Sequence, residues 1–209
     1  LKEKENLAII GPNGAGKTVL LKALLGIISP LDKTAFVTGE IKWKKWLKIS
    51  YIPQRILPER NLPLTIKEFF KIKKISQADI EKSLMSVGIS DPAFIKKRIS
   101  AISSGQLQRA LLAWALIGDP EVLLFDEPTA GIDVGGEETI YNLLSNIEKE
   151  RNLSIIIITH DLSVVYKFAD SVLCLNRKLI CYGPPQEALG ANSLNVLYGG
   201  DVKFYKHEH

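Results

Sequence analysis

Residues 11–18 read Gly11-Pro12-Asn13-Gly14-Ala15-Gly16-Lys17-Thr18. This spacing, G-x-x-x-x-G-K-[ST], forms a phosphate-binding loop when a strand precedes it and a helix follows. Leu7-Ala8-Ile9-Ile10 is a continuous apolar run of strand length. Thr18 to Gly26 is a helix by its spacing of Leu20, Leu21, Leu24 and Leu25, with Gly26 as its C-cap. Glycines let the backbone turn its N–H groups toward an anion, and the helix adds its positive end. Lys17 is placed to reach the β- and γ-phosphates, and the Thr18 hydroxyl to ligate Mg²⁺. An ordinary glycine turn does not account for the Lys-Thr pair that follows it.

Val122-Leu123-Leu124-Phe125-Asp126-Glu127 supplies a second half. A buried strand ends in two adjacent carboxylates, whose side chains point to opposite sides. Asp126 is expected to hold the Mg²⁺ shell. Glu127 is expected to face the γ-phosphate and deprotonate the attacking water.

The rest of the chain alternates strands with helices. Strands are expected at 35–37, 40–43, 49–52 and Ser154–Ile158, and a hairpin at 172–182 turning around Asn176-Arg177-Lys178. Pro53, Pro58 and Pro63 mark a loop. From Thr65 to about Ala115 the pattern is helical, opened by a capping box at Thr65-Ile66-Lys67-Glu68. Glu137 to Arg151 is amphipathic, with Ile140, Leu143, Leu144 and Ile147 on one face. Continuous apolar strands separated by helices predict a mainly parallel sheet covered on both faces, an α/β fold. The reading places one domain over 1–209, with a helical subdomain inserted at 55–115.

Composition bounds the function. Of 209 residues, 46% are hydrophobic and 24% charged, an ordinary globular mixture. No apolar run approaches the roughly 20 residues of a membrane helix. The net charge of +4, from 27 basic and 23 acidic residues, is too mild to argue for nucleic acid. Lys42, Lys44, Lys45 and Lys48 with Trp43 and Trp46 read as a solvated strand face with two packing indoles. Two cysteines, Cys174 and Cys181, make no disulfide framework and read as small core residues of a reduced, cytosolic protein. No signal peptide is visible, and the charged start Leu1-Lys2-Glu3 leads directly into the first strand.

Five motifs, in order, resemble the ATP-binding subunits of ABC transporters. They are residues 11–18, Tyr51-Ile52-Pro53-Gln54, Ile102-Ser103-Ser104-Gly105-Gln106-Leu107-Gln108-Arg109, Leu124-Phe125-Asp126-Glu127-Pro128-Thr129 and Ile158-Thr159-His160-Asp161. A sixth, Ala130-Gly131-Ile132-Asp133, follows the carboxylates. The resemblance runs from Leu7 to about Gly183. It implies a phosphate-loop nucleotidase fold with a RecA-like core, an inserted helical subdomain and a small antiparallel β part whose first strands are missing from this sequence. It implies ATP and Mg²⁺ as ligands.

The same resemblance assigns roles. Gln54 corresponds to the glutamine that senses Mg²⁺ and the γ-phosphate, and His160 to the histidine that contacts the γ-phosphate. Residues 102–106 correspond to the signature motif, which closes over nucleotide held by the other subunit of a head-to-tail homodimer. Asp133 connects the two sites. A separate membrane permease is implied, contacted through Arg55 to Leu64, with a substrate-binding protein acting indirectly. That places the chain peripherally on the cytoplasmic face of the membrane, with no nucleic-acid partner.

Departures are few. Ser104 stands where the signature has its first glycine, Val19 where a hydroxyl residue is common, and Trp114 where arginine is common. The family stacks adenine on an aromatic residue upstream of the first strand, and residues before Leu7 include none. Leu173–Arg177, Cys181–Leu189, Leu197–Gly200 and Pro63–Ile66 are similar to the zinc/manganese import branch. The competing expectations are an iron-siderophore or cobalamin importer and a non-transport ABC ATPase. The tail histidines His207 and His209 read as a solvated end.

Overall fold

The computed structural model describes residues 2–28, 39–43, 46–54, 63–129, 132 and 134–199. It divides into two compact units, one formed by 1–44 with 156–209 and the other by 45–155. The expected strand at 35–37, most of the expected loop (55–62), Asp133 and the histidine tail fall outside the described residues.

In the first unit, strand β1 (Asn6–Ile10) is buried along its whole length. It pairs in parallel with β5 (Ser171–Asn176), Leu7 opposite Ser171 and Ile10 opposite Cys174. Strand β5 turns through Arg177, in left-handed backbone, into antiparallel β6 (Lys178–Gly183). Helix α1 (Lys17–Leu24) follows the phosphate loop, and α6 (Leu162–Phe168) follows β4 (Ser154–Ile158), the strand in which the two units divide. The Thr159 amide, just past β4, donates to the Ile9 oxygen at 3.3 Å. Two short helices, α7 (Pro185–Ala188) and α8 (Ala191–Tyr198), lie against the β5–β6 hairpin. The Asn176 side-chain amide ties the hairpin to the Leu197 oxygen at 3.0 Å.

A register shift between Cys174 and Leu175 puts Cys174 directly opposite Cys181. The two are joined as a disulfide, with Cα atoms 4.8 Å apart. This corrects their reading as separate core thiols; an unshifted hairpin would have set Cys174 against Ile180.

The second unit holds β2 (Ile49–Ile52) parallel to β3 (Val122–Asp126), with Tyr51 opposite Leu124. All the regular elements between Ile66 and Ala115 are helical: α2 (Ile66–Lys71), α3 (Gln77–Met85), two 3₁₀ turns at Pro92–Lys96 and Ile99–Ala101, and α4 (Ser104–Ala115). The capping box at Thr65 forms as its sequence predicts, and Ser76 and Ser103 form two more. Phe70, Phe94, Ile66, Ile80 and Leu112 are fully buried. Each such side chain contributes about 1.5–3 kcal/mol of apolar burial. The Ser50 hydroxyl donates to the Ala115 oxygen at 2.6 Å, fixing the end of α4 against β2. Helix α5 (Val134–Arg151) buries Ile140, Leu144 and Ile147.

Residues 40–43 form no strand, contrary to their alternating pattern. Ile41 is 45% exposed, and no strand among the described residues pairs with the segment. Strand propensity without a neighbouring ladder does not make a strand. Trp46 is likewise 101% exposed, so it does not pack as expected. Trp114 fills the arginine position by packing against Phe69, ring centroids 5.3 Å apart. The Lys73 ammonium sits 4.1 Å above its ring.

Candidate nucleotide site

The phosphate loop bridges β1 and α1 in the first unit. Its turn closes with Ala15 N–H donating to the Pro12 oxygen at 3.2 Å. Gly16, the α1 N-cap, has left-handed backbone (φ 98) and contributes no capping side chain. The loop is tied to the β5–β6 turn, where Arg177 N–H donates to the Ala15 oxygen at 3.0 Å. Lys17 is 7% exposed, and its ammonium lies across its own loop, donating to Gly11 O at 2.7 Å and Pro12 O at 3.1 Å. The head of the lysine is therefore folded back onto the carbonyls of its own loop. Asn13 and Gly14 are exposed on the rim, as is Val19 one residue beyond Thr18.

His160 is an exposed residue in the short link between β4 and α6. Its neighbours fix it. The Thr159 hydroxyl accepts the Asp161 N–H at 3.1 Å, and the Asp161 carboxylate caps α6 by accepting Ser163 N–H at 2.8 Å.

In the second unit the parallel strands β2 and β3 end side by side. Asp126 is buried, 1% exposed, at the last position of β3. The half-buried Tyr51 hydroxyl lies near its carboxylate, on the neighbouring strand. Burial, and then the nearby charge of Asp126, push the Tyr51 hydroxyl up to about 12, so it stays protonated at neutral pH. Glu127 follows with left-handed backbone (φ 51), uncommon for a residue with a side chain. Such conformations cost about 1–3 kcal/mol and gather at functional sites. The Gln54 side-chain amide donates to the Glu127 carboxylate. The structure thus brings together Gln54 with Glu127 and Tyr51 with Asp126. The sequence singled out three of these four; Tyr51 lay in a quoted motif but carried no role.

The signature residues open α4. The Ser103 hydroxyl accepts Gln106 N–H at 3.2 Å, and the Gln106 side-chain oxygen accepts Ser103 N–H at 3.2 Å. Ser103 is therefore an N-cap, a role its spacing to Gln106 signalled. Accepting that bond leaves the hydroxyl proton able to donate. Ser104, at the first helical position, is exposed, and a β-carbon on Gly105 would meet open space. Ser103, Gly105 and Gln106 line a cavity of about 390 Å³ together with Arg109 and Lys97.

The donor chemistry fits Mg²⁺. Thr18 in the first unit and Asp126 in the second each carry a hard oxygen of the kind Mg²⁺ takes, and Mg²⁺ is held by one or two carboxylates with substrate phosphates rather than a protein cage. No cluster of three or more His, Cys, Asp or Glu that could hold a metal occurs among the described residues.

Comparison with known proteins agrees with these features. Residues 1–130 match the ABC transporter family. The chain is 36% identical over 212 residues to the zinc import ATP-binding protein ZnuC of Paracoccus denitrificans, covering 99% of this chain and 80% of that protein. Among solved structures, CbiO1 of Clostridium perfringens, part of the ABC transporter complex cbiONQ, superposes with a TM-score of 0.75 at 26% identity. That match covers 94% of this chain and 85% of the other. An ABC transporter described as of metal-chelate type, in an inward-facing conformation, shares the fold with a TM-score of 0.80 at 23% identity, over 94% of this chain and 78% of that one.

Proposed function

Because this chain belongs to the ABC transporter family, we propose that it is the ATP-hydrolysing subunit of a metal-ion importer, zinc being the favoured cargo. The cargo reading is supported by its likeness to a zinc import ATP-binding protein, which runs the length of the chain. The hydrolytic reading is carried by one observation: Gln54 and Glu127 meet at the paired ends of β2 and β3.

The phosphate loop binds ATP through its N–H groups and the Lys17 ammonium. Asp126, Thr18 and Gln54 would hold Mg²⁺, which when bound neutralises charge on the β- and γ-phosphates. The Glu127 carboxylate takes a proton from water as its oxygen attacks the γ-phosphorus and ADP leaves. The Gln54 amide, donating to that carboxylate, fixes its direction. His160 donates to the γ-phosphate. In a head-to-tail homodimer, Ser103–Gln106 of the second copy supply further donors and Asp133 links the two sites. Preorganised donors at developing charge are the largest catalytic resource for such a transfer.

No helix among the described residues is long and apolar enough to cross a membrane. In this reading transport runs through a separate permease, which Arg55–Leu64 and the helical 55–115 region contact from the cytoplasmic face, while a substrate-binding protein delivers cargo to that permease. The test is Glu127→Gln. It should bind ATP with little change, hydrolyse it about 10²–10⁴-fold more slowly and accumulate as an ATP-bound dimer. Near-normal turnover would remove Glu127 as the base.

A further inference from the structure

We infer that Cys174 and Cys181 form a thiol–disulfide exchange site that sets how firmly the phosphate loop is held, so that reduction by a low-molecular-weight thiol such as glutathione lowers nucleotide affinity. The inference goes beyond the proposed function but rests on its reading of residues 11–18 as the nucleotide site. The two cysteines lie directly opposite each other on antiparallel β5 and β6, with Cα atoms 4.8 Å apart. That separation is one a disulfide spans. They are the two cysteines of the chain, so neither has another thiol in it to pair with. Cys174 is fully buried, whereas Cys181 is half-buried on a strand that pairs, among the described residues, only with β5. An incoming thiolate therefore reaches the Cys181 sulfur first. In compartments buffered by thiols, the disulfides that occur are usually transient and redox-sensing rather than structural.

What the bond pins is the loop. Outward from the turn, Asn176 pairs with Lys178 and Leu175 with Leu179, which would bring Cys174 to Ile180. The register shift sets Cys174 against Cys181 instead and leaves Ile180 as the extra residue of a bulge. The disulfide locks that register covalently. Leu175, the next residue, places its backbone oxygen 1.9 Å from where a Cβ on Gly11 would lie, and its side chain 3.9 Å from one on Gly16. Arg177 N–H donates to the Ala15 oxygen at 3.0 Å. The hairpin thus touches the loop at Gly11, Ala15 and Gly16, through residues that follow Cys174 immediately. Reduced, the hairpin keeps its backbone ladder but loses the covalent lock, and a slip of one residue would move all of these contacts. In the exchange, a thiolate attacks the Cys181 sulfur, the S–S bond breaks, and Cys174 leaves as a thiolate that takes a proton from water. A second thiolate attacks the outer sulfur of the mixed disulfide, releasing Cys181 and one small-molecule disulfide. Two electrons pass to the protein, and oxidation is the reverse.

The test equilibrates the full chain in glutathione buffers of graded ratio, counts free thiols by alkylation and mass, and measures binding of a fluorescent ATP analogue in each. Both cysteines should become alkylatable together in one two-electron transition, with the circular dichroism of the folded chain retained. Affinity for the analogue should fall about 5-fold or more across that transition, the usual lower range of coupling between two sites. Coupling is reciprocal, so saturating ATP should make the disulfide harder to reduce, moving the exchange equilibrium constant by the same factor. A disulfide that only braces the fold would not answer to nucleotide in this way. Cys181→Ala, at the less buried position, should bind the analogue as the reduced chain does, whatever the glutathione ratio. Two alkylatable thiols at every ratio, equal affinity in the oxidised and reduced chain, an equilibrium constant unmoved by ATP, or loss of the fold on reduction would each overturn the inference. Failure of both forms to bind ATP would instead overturn the nucleotide-site reading beneath it.

Discussion

The backbone oxygen of Leu175 occupies the space that a side chain on Gly11 would need: an ideal Cβ there would lie 1.9 Å from it. The start of the phosphate loop is thus pressed against the β5–β6 hairpin, and Arg177 N–H bonds the same loop at Ala15. The loop's shape is set by the hairpin as much as by its own glycines.

Gly11→Ala should therefore destabilise the chain by at least about 2 kcal/mol, from backbone strain and overpacking together. Gly14 has left-handed backbone but open space around it. Gly14→Ala should cost only about 1 kcal/mol. Thermal unfolding of the two variants separates these outcomes, with about 2–4 °C expected per kcal/mol.

Gln54→Ala should lower kcat about 10–100-fold, the loss of one charge-assisted hydrogen bond to Glu127. Nucleotide affinity measured without Mg²⁺ should change little, because the loop and Lys17 are untouched. Steady-state ATPase assays with nucleotide titrations check both halves. A change confined to affinity would remove Gln54 from orienting the base.

Helix α2 should weaken in acid. The Glu68 carboxyl is held below its usual 4.5 by the Thr65 hydroxyl and then by the Thr65 backbone N–H. A lowered folded-state pKa stabilises above the unfolded value and is lost as pH falls below it. The contribution is therefore complete above about pH 4.5 and disappears below. Protection of the α2 amides from hydrogen exchange, corrected for the intrinsic rate at each pH, should fall across that window, and Thr65→Ala should flatten the pH dependence.

The contiguous motifs were legible because their spacing is itself the structure: residues 11–18 form the loop, and Thr65–Glu68 form the capping box. Hydrophobic period placed β1, β3, β4 and α5 within a few residues. What the sequence hid depends on pairing between distant segments. Tyr51 meets Asp126 only through the β2–β3 register. Cys174 meets Cys181 only because a register shift at Leu175 moves the pairing by one, and nothing in the residues marks that shift. Residues 40–43 alternate as a strand should, yet a strand needs a neighbour. The exposed indole of Trp46 lies outside what local pattern can determine. The Ser103 capping box was legible in principle, since Ser-x-x-Gln announces it.

The most direct test of the account is the metal content of host cells lacking this gene, grown on limiting metal and complemented with either the intact gene or a Lys17→Ala copy. The account predicts a selective fall in zinc that the intact gene restores and the Lys17→Ala copy does not. Unchanged zinc in the disrupted strain, with no second importer present, or equal rescue by both copies, would contradict it.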